Sequence, residues 1–389
     1  MFDYDCVIVG GGVVGASLAL ALTQSGCRIL MLEKSNAPSH IPSDFESRTI
    51  ALSYASFYIF SQLGLWDEMA SRAVPIKQVR VSVEGQFGSS RLKAKDQNLP
   101  NLGYVVSAHE LEKALFDQLR AHSVKVLKPA TLLSKQNHST HWQLTISHLD
   151  QTFTCNTGLL VAADGMHSLL RDEQSIGNIQ KEYGHQAVLA NVRRESVDPL
   201  MAIERFLPAG AIALIPWQKD IATCIWTADK NQASQLMAMN DADFKQTCQQ
   251  RLGSRSGTIS AVGKRLTFPL NMKVAKQQIG SRFLLMGNAA HSLHPIAAQG
   301  LNLSLRDIWQ LRKQWLAQPQ ADMGCEIFLH EYAKARASDQ TRVIMGTDQI
   351  AQWMLGGLLT SPIRALGITL FDFMTPIKRQ FTRLSMGIT

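Results

Sequence analysis

Residues 5–10 (DCVIVG) form a short, nearly continuous apolar run, the pattern of a parallel strand buried on both faces, and helical periodicity follows it. A second apolar run, residues 28–33 (RILMLE), closes on an acid. Residues 159–171 (LLVAADGMHSLLR) pass from an apolar strand through Asp164-Gly165 into a helix. Residues 283–307 pass from a buried strand ending at Gly287-Asn288, through a Pro-Gly loop, into another helix. Between these segments, residues 202–207, 211–216 and 221–227 alternate and predict strands of a sheet, with a hairpin-like stretch at 76–94. From 348 to 384 the pattern turns helical, with Ile350, Trp353, Met354, Leu358, Leu366, Leu370, Phe371 and Phe381 set among Arg364, Lys378, Arg379 and Arg383. Pro362, Arg364 and Asp372 are expected to interrupt it. No stretch reaches the roughly 18 to 20 uninterrupted apolar residues that cross a bilayer, so an amphipathic surface helix or a helix packed on its own domain or on a partner is expected.

The turn after the first strand carries Gly10, Gly12 and Gly15 in the spacing GxGxxG. Strand, glycine turn, helix and a second strand ending at Glu33 together predict a Rossmann-type dinucleotide site. Glycines let the backbone approach a pyrophosphate at the helix N-terminus, and Glu33 accepts hydrogen bonds from a ribose. Lys34 adjoins it as a further candidate. At this point FAD and NAD fit equally.

Composition narrows the class. With 389 residues, 46% hydrophobic and 18% charged, the chain is long enough for two domains and too apolar for a disordered one. Six cysteines with no CxxC pair suggest neither zinc nor a disulfide framework, so no metal is expected and a reducing cytosol fits. The first strand-like run begins at Tyr4, which leaves no room for a secretion signal. A net charge of +8 suits an anionic membrane or an acidic cofactor, and the absence of RGG tracts, zinc knuckles and aromatic-basic interleaving argues against nucleic acid.

With residues 47–53 (SRTIALS), the Asp164-Gly165 segment and residues 283–307 (FLLMGNAAHSLHPIAAQGLNLSLRD) added to the glycine turn, the chain resembles the class A FAD-dependent aromatic monooxygenases typified by para-hydroxybenzoate hydroxylase. The resemblance spans nearly the whole chain. It implies that Arg48 contacts the flavin and that Asp164 organises the flavin pyrophosphate and the route used by NAD(P)H. A helix N-terminus after Gln299-Gly300-Leu301-Asn302 would aim N–H groups at flavin N1 and O2 and stabilise the anionic reduced ring. Pro295 fixes that loop, and Gly300 allows an approach that a Cβ would obstruct. Asn288 stands where many relatives have aspartate, and His109 where many have arginine. In both respects the chain is similar to the 2-polyprenyl-6-methoxyphenol hydroxylase branch of the ubiquinone-biosynthesis hydroxylases.

The resemblance implies an α/β fold: a Rossmann-type FAD-binding domain from residues 1–75, 101–180 and 275–345, an interleaved β-sheet substrate domain from 76–100 and 181–274, and C-terminal helices from 346–389. It also implies hydroxylation of a polyprenylated phenol by NAD(P)H and O2 through a flavin C4a-hydroperoxide. No second GxGxxG follows the first, so NAD(P)H is expected to visit a surface groove. His294, beside the flavin loop, is the candidate base for phenol deprotonation. A cytoplasmic protein held peripherally on the inner face of the membrane, within a quinone-synthesis complex, fits such a substrate. Three other readings stand beside it. A flavin-dependent halogenase is disfavoured by the missing WxWxIP signature. A prenyl-chain reductase would need no oxygen, and a non-catalytic flavoprotein subunit would not be reduced by either nicotinamide.

Overall fold

The computed structural model describes residues 2–35, 43, 45–319, 321–354 and 361–388. Its first sheet has eight strands, with Ile279–Gly280, Phe283–Leu285, Gln151–Ala162, Tyr4–Val9, Ile29–Leu32 and Lys125–Leu127 side by side. The four pairings from Phe283–Leu285 to Lys125–Leu127 are parallel, Ile279–Gly280 pairs antiparallel at one end, and the hairpin Ala130–Asn137 with Trp142–His148 adds antiparallel strands beside Gln151–Ala162. Ile29–Leu32 is buried throughout, which is why its sequence is unbroken by polar residues.

The helix Val13–Thr23 connects the first two strands and is buried at every position from Gly15 to Leu22. Such a helix must be covered all round. The sheet covers one side, and the helices Ala108–Ala121 and Gln299–Ala317 cover the rest. Each fully buried leucine here contributes about 1.5–3 kcal/mol of transfer free energy.

The second sheet has nine strands and runs from His291–Ser292 through Leu266–Ala275, Asn178–Glu195, Ile221–Asp229, Gly210–Trp217, Met201–Leu207 and Gln78–Val83 to Ser89–Lys93. Three of these are the alternating segments expected from sequence. The hairpin at 78–93 joins them through a parallel pairing of Gln78–Val83 with Met201–Leu207, in which Glu204 faces Val81. A third sheet of Thr49–Ser53, Gly103–Ser107 and Val74–Ile76 was not anticipated. Neither were the helices Lys230–Ala238 and Asp241–Leu252.

The C-terminal part consists of the long helix Glu326–Met354 followed by Ser361–Phe373 and Thr375–Ser385. Leu358 of the expected pattern lies outside the described residues. Arg364 and Asp372 break the apolar run as expected, but not the helix Ser361–Phe373. Arg364 is wholly buried and donates to the Leu207 carbonyl at 3.3 Å, and Asp372 accepts from Ser90 Oγ and Lys378 Nζ, both at 2.9 Å. A satisfied charge costs a helix little. Among the described residues, no helix is long and apolar enough to cross a membrane.

Candidate active site

Three motifs meet because their strands are neighbours in one parallel sheet. Tyr4–Val9 ends at Gly10, Gln151–Ala162 at Asp164 and Phe283–Leu285 at Gly287, all on the carboxyl edge where open α/β sheets bind ligands. The joints are tight: Gly10 N–H donates to the Leu32 carbonyl at 2.8 Å, Ala163 N–H to Val9 at 2.8 Å and Met286 N–H to Ala162 at 2.9 Å.

The glycines have separate reasons. Gly10 has φ +108°, and a side chain there would collide with the Ala163 carbonyl. A Cβ on Gly15 would overlap the Gly10 carbonyl oxygen. Gly12 faces open space, with nothing within 4 Å of an added Cβ, and the helix it starts has no side-chain cap. Its first N–H groups are therefore free to meet an anion. Glu33 accepts from Gly11 N–H at 2.6 Å and from Ser35 N–H at 2.7 Å, which fixes its carboxylate at the loop. Gly11 was missed from sequence although a Cβ there would press on Glu33 at 2.7 Å. Lys34 is exposed.

Asp164 is half-buried beside Gly10, and its Oδ1 is buried without a hydrogen-bond partner in the protein. An uncapped helix end, open space above Gly12 and an orphaned carboxylate oxygen are what the pyrophosphate and ribose hydroxyls of FAD would satisfy. The residues fit the cofactor.

The second flavin segment folds back over the same edge. Gly287 takes φ +67° against Val14, and Asn288 is exposed at the turn. Pro295 starts a short turn, Ala298 takes a left-handed φ of +49°, and the helix Gln299–Ala317 begins without a side-chain cap. Gly300 faces open space, with half-buried Leu301 next to it. Asn302 is consumed internally: its Oδ1 accepts from Ser53 N–H at 2.8 Å and Ser56 Oγ at 2.6 Å, and its Nδ2 donates to Ala51 and Ala298. What this turn offers a cofactor is therefore backbone N–H. Gln299 Nε2 donates to the Ser385 carbonyl at 3.1 Å and ties the loop to the last helix.

Arg48 is exposed, and its carbonyl accepts from Ala108 N–H at 2.8 Å, which brings Arg48 beside half-buried His109. His294 is buried, with its ring edge-on to Tyr183 at 4.9 Å. Its Nδ1 accepts from Ile296 N–H at 3.2 Å, so the neutral ring carries its proton on Nε2. Burial, and then His185, lower its pKa to about 4 against a smaller opposing effect of Asp348. Such a ring, with its Nδ1 lone pair engaged, is set to donate a hydrogen bond from Nε2, a geometry that suits a donor better than the base expected from sequence.

Beside the flavin loop lies a cavity of about 540 Å³. Ile296, Gln299 and Asn302 form one wall, Val79, Val81 and Phe206 of the nine-stranded sheet another, and Ile368, Phe371 and Phe381 of the C-terminal helices a third. Among the described lining residues Glu204 alone is charged, and burial pushes its carboxyl up to about 7.

A family model described as an FAD binding domain matches residues 3–347. The ubiquinone hydroxylase UbiL of Rhodospirillum rubrum is 30% identical over 387 residues, covering 98% of this chain and 89% of that one. The 3-demethoxyubiquinol 3-hydroxylase of Escherichia coli is 28% identical, covering 99% and 98%. The structure of p-nitrophenol 4-monooxygenase PnpA from Pseudomonas putida superposes with a TM-score of 0.78 at 17% identity, covering 97% and 96%, and so shares the fold. With its glycine turn, Asp164 and flavin loop gathered on one sheet edge, the chain belongs to the FAD-binding-domain family and is a class A FAD-dependent monooxygenase.

Proposed function

We propose that the protein hydroxylates the aromatic ring of a polyprenylated phenol in ubiquinone biosynthesis, using FAD, NAD(P)H and O2. The observation that carries this reading is the apolar cavity built on the flavin loop, whose chemistry suits a phenol with a hydrocarbon tail. The relatives' names, ubiquinone hydroxylase and 3-demethoxyubiquinol 3-hydroxylase, support the same substrate class.

Bound FAD supplies the electrons taken from NAD(P)H and the activation of O2. The uncapped N–H groups that begin the helix Gln299–Ala317 would favour negative charge on the reduced ring. Glu33 and the Gly12 end of the first helix would hold the adenosine and pyrophosphate of FAD, with Asp164 beside them. The cavity walls orient the phenol and exclude water.

The C-terminal helices form a cavity wall with one face and leave Ile363, Leu366, Leu370, Phe373 and Ile377 exposed on the other, near exposed Arg379 and Arg383. That composition supports peripheral contact with an anionic membrane, on the inner face of the cytoplasmic side, from which a lipid-tailed phenol is delivered to the cavity. The same face suits docking in a quinone-synthesis complex. The test of the activity is NAD(P)H oxidation by the purified yellow protein with a short-tailed methoxyphenol. Stimulation by the phenol with a product one oxygen heavier supports the proposal, and a hydrogenated product in its place moves the function to a prenyl-chain reductase.

A further inference from the structure

The strand Met201–Leu207 alternates, so Glu204 shares a face with Phe206, and across the pairing its register partner is Val81. All three line the cavity. The Glu204 carboxylate has no hydrogen-bond or ion-pair partner among the described residues. An unpaired carboxylate in an apolar wall costs folding free energy, and a glutamate kept for structure alone would be paired. Such a group is instead suited to a polar ligand that completes its hydrogen bonding.

We infer that Glu204 is the general base that takes the phenolic proton of the substrate, which rests on the activity proposed above. The phenol O–H bond breaks, its electron pair stays on oxygen, and the proton passes to the Glu204 carboxylate. The phenolate ring is richer in electrons at its ortho and para carbons and is a better nucleophile for oxygen transfer. When the hydroxylated ring regains aromaticity, the hydrogen at the new C–O carbon leaves to solvent as a proton. Glu204 then returns its proton to the phenolic oxygen and ends the cycle ionised.

Its environment also makes it a stronger base than an ordinary carboxylate. Burial alone raises its pKa to about 7. Among the described residues, no neighbouring element counters this. The strand Gly210–Trp217 bears no charge, and Arg80 of Gln78–Val83 and Arg205 of its own strand occupy the alternate positions that face away. From the helices, Arg364 is engaged by Leu207, Asp372 by Lys378, and Asp348 by Lys181 and Tyr183. A base with a pKa near the working pH transfers protons most effectively.

The test compares the FAD-loaded wild type with Glu204→Gln on a short-tailed 2-methoxyphenol. The inference expects kcat to fall by about 10²-fold or more with KM changed by only a few-fold. It also expects wild-type kcat to rise with pH through about 7, and this rise to be absent in the variant. A phenol acidified by an electron-withdrawing substituent should recover most of the lost rate. Independently of turnover, the phenolate band of a bound nitrophenol, whose hydroxyl is about as acidic as Glu204, should appear at a different pH in the wild type and in Glu204→Gln, because the two groups titrate together only when Glu204 faces the phenol oxygen. A variant with wild-type kcat, pH rise and phenolate band overturns the inference. If the wild type makes no hydroxylated product, the proposed activity fails while the phenolate band still decides the role of Glu204. Should the amide not fold, Glu204→Asp is used: a lower kcat with a pH rise shifted towards the ordinary carboxylate range supports the inference, and wild-type values of both overturn it.

Discussion

Asp307, fully buried on the helix Gln299–Ala317, accepts a hydrogen bond from His291 Nε2 at 2.7 Å and so fastens the start of the flavin loop to the helix that ends it. Burial pushes the Asp307 carboxyl up, yet the hydrogen bonds and charges of His291 and Arg336 prevail and hold it below the usual carboxylate range. Removing one member of a buried charged cluster leaves the others unpaired. Asp307→Ala is therefore expected to cost about 3–5 kcal/mol, read as a lower Tm of the apoprotein, and to weaken FAD retention. An unchanged Tm would show that the cluster does not hold the loop.

The glycines separate folding from cofactor binding. An alanine at Gly15 meets the Gly10 carbonyl and is expected to prevent folding. An alanine at Gly12 meets no protein atom, so the apoprotein should keep its Tm while FAD affinity falls by on the order of tenfold or more. Apoprotein melting and FAD titration of both variants check this. Unaltered affinity in Gly12→Ala would place the pyrophosphate elsewhere.

This part of the site was legible in the sequence because it is local. Strand, turn and helix are adjacent in the chain, and Glu33 lies one short helix away from the amide it accepts. Glu204, the Asp307 cluster and the bond from Gln299 to Ser385 were not legible, since each depends on segments brought together only by the fold. A signal for Glu204 did exist, as an acid on the same strand face as Phe206. The third sheet was missed because its strands have only three to five residues, too few for a period to show. The helix Asp241–Leu252 buries just Phe244, Cys248 and Leu252, a thin stripe in a polar segment.

His294 and Glu204 give opposite pH signatures in stability. The folded-state pKa of His294 is lowered from 6.5 to about 4, so the unfolded chain binds the proton first and stability is lost as pH falls through that window. For Glu204 it is raised from 4.5 to about 7, so stability is lost as pH rises through that window. Each is worth up to about 3 kcal/mol. His294→Gln should flatten the acid limb of Tm against pH, and Glu204→Gln the neutral limb. His294→Gln should also keep hydroxylation within a few-fold of the wild type, because the ring is a donor and not the base.

The exposed helix face makes a separate prediction. Arg379→Gln with Arg383→Gln should weaken binding to anionic liposomes by on the order of thirtyfold at low salt, since each cation near such a surface is worth about 1 kcal/mol. Sedimentation of the protein with vesicles checks this, and equal binding by the variant would remove the charged contact from the account.

Oxygen transfer to a phenol ring is measured with isotopically labelled O2, NAD(P)H and a short-tailed methoxyphenol, with the product weighed by mass spectrometry. One labelled oxygen per product, formed in proportion to the phenol-stimulated NAD(P)H oxidation, is the predicted result. An unlabelled hydrogenated product, or a yellow protein that neither nicotinamide reduces in the presence of the phenol, would contradict it.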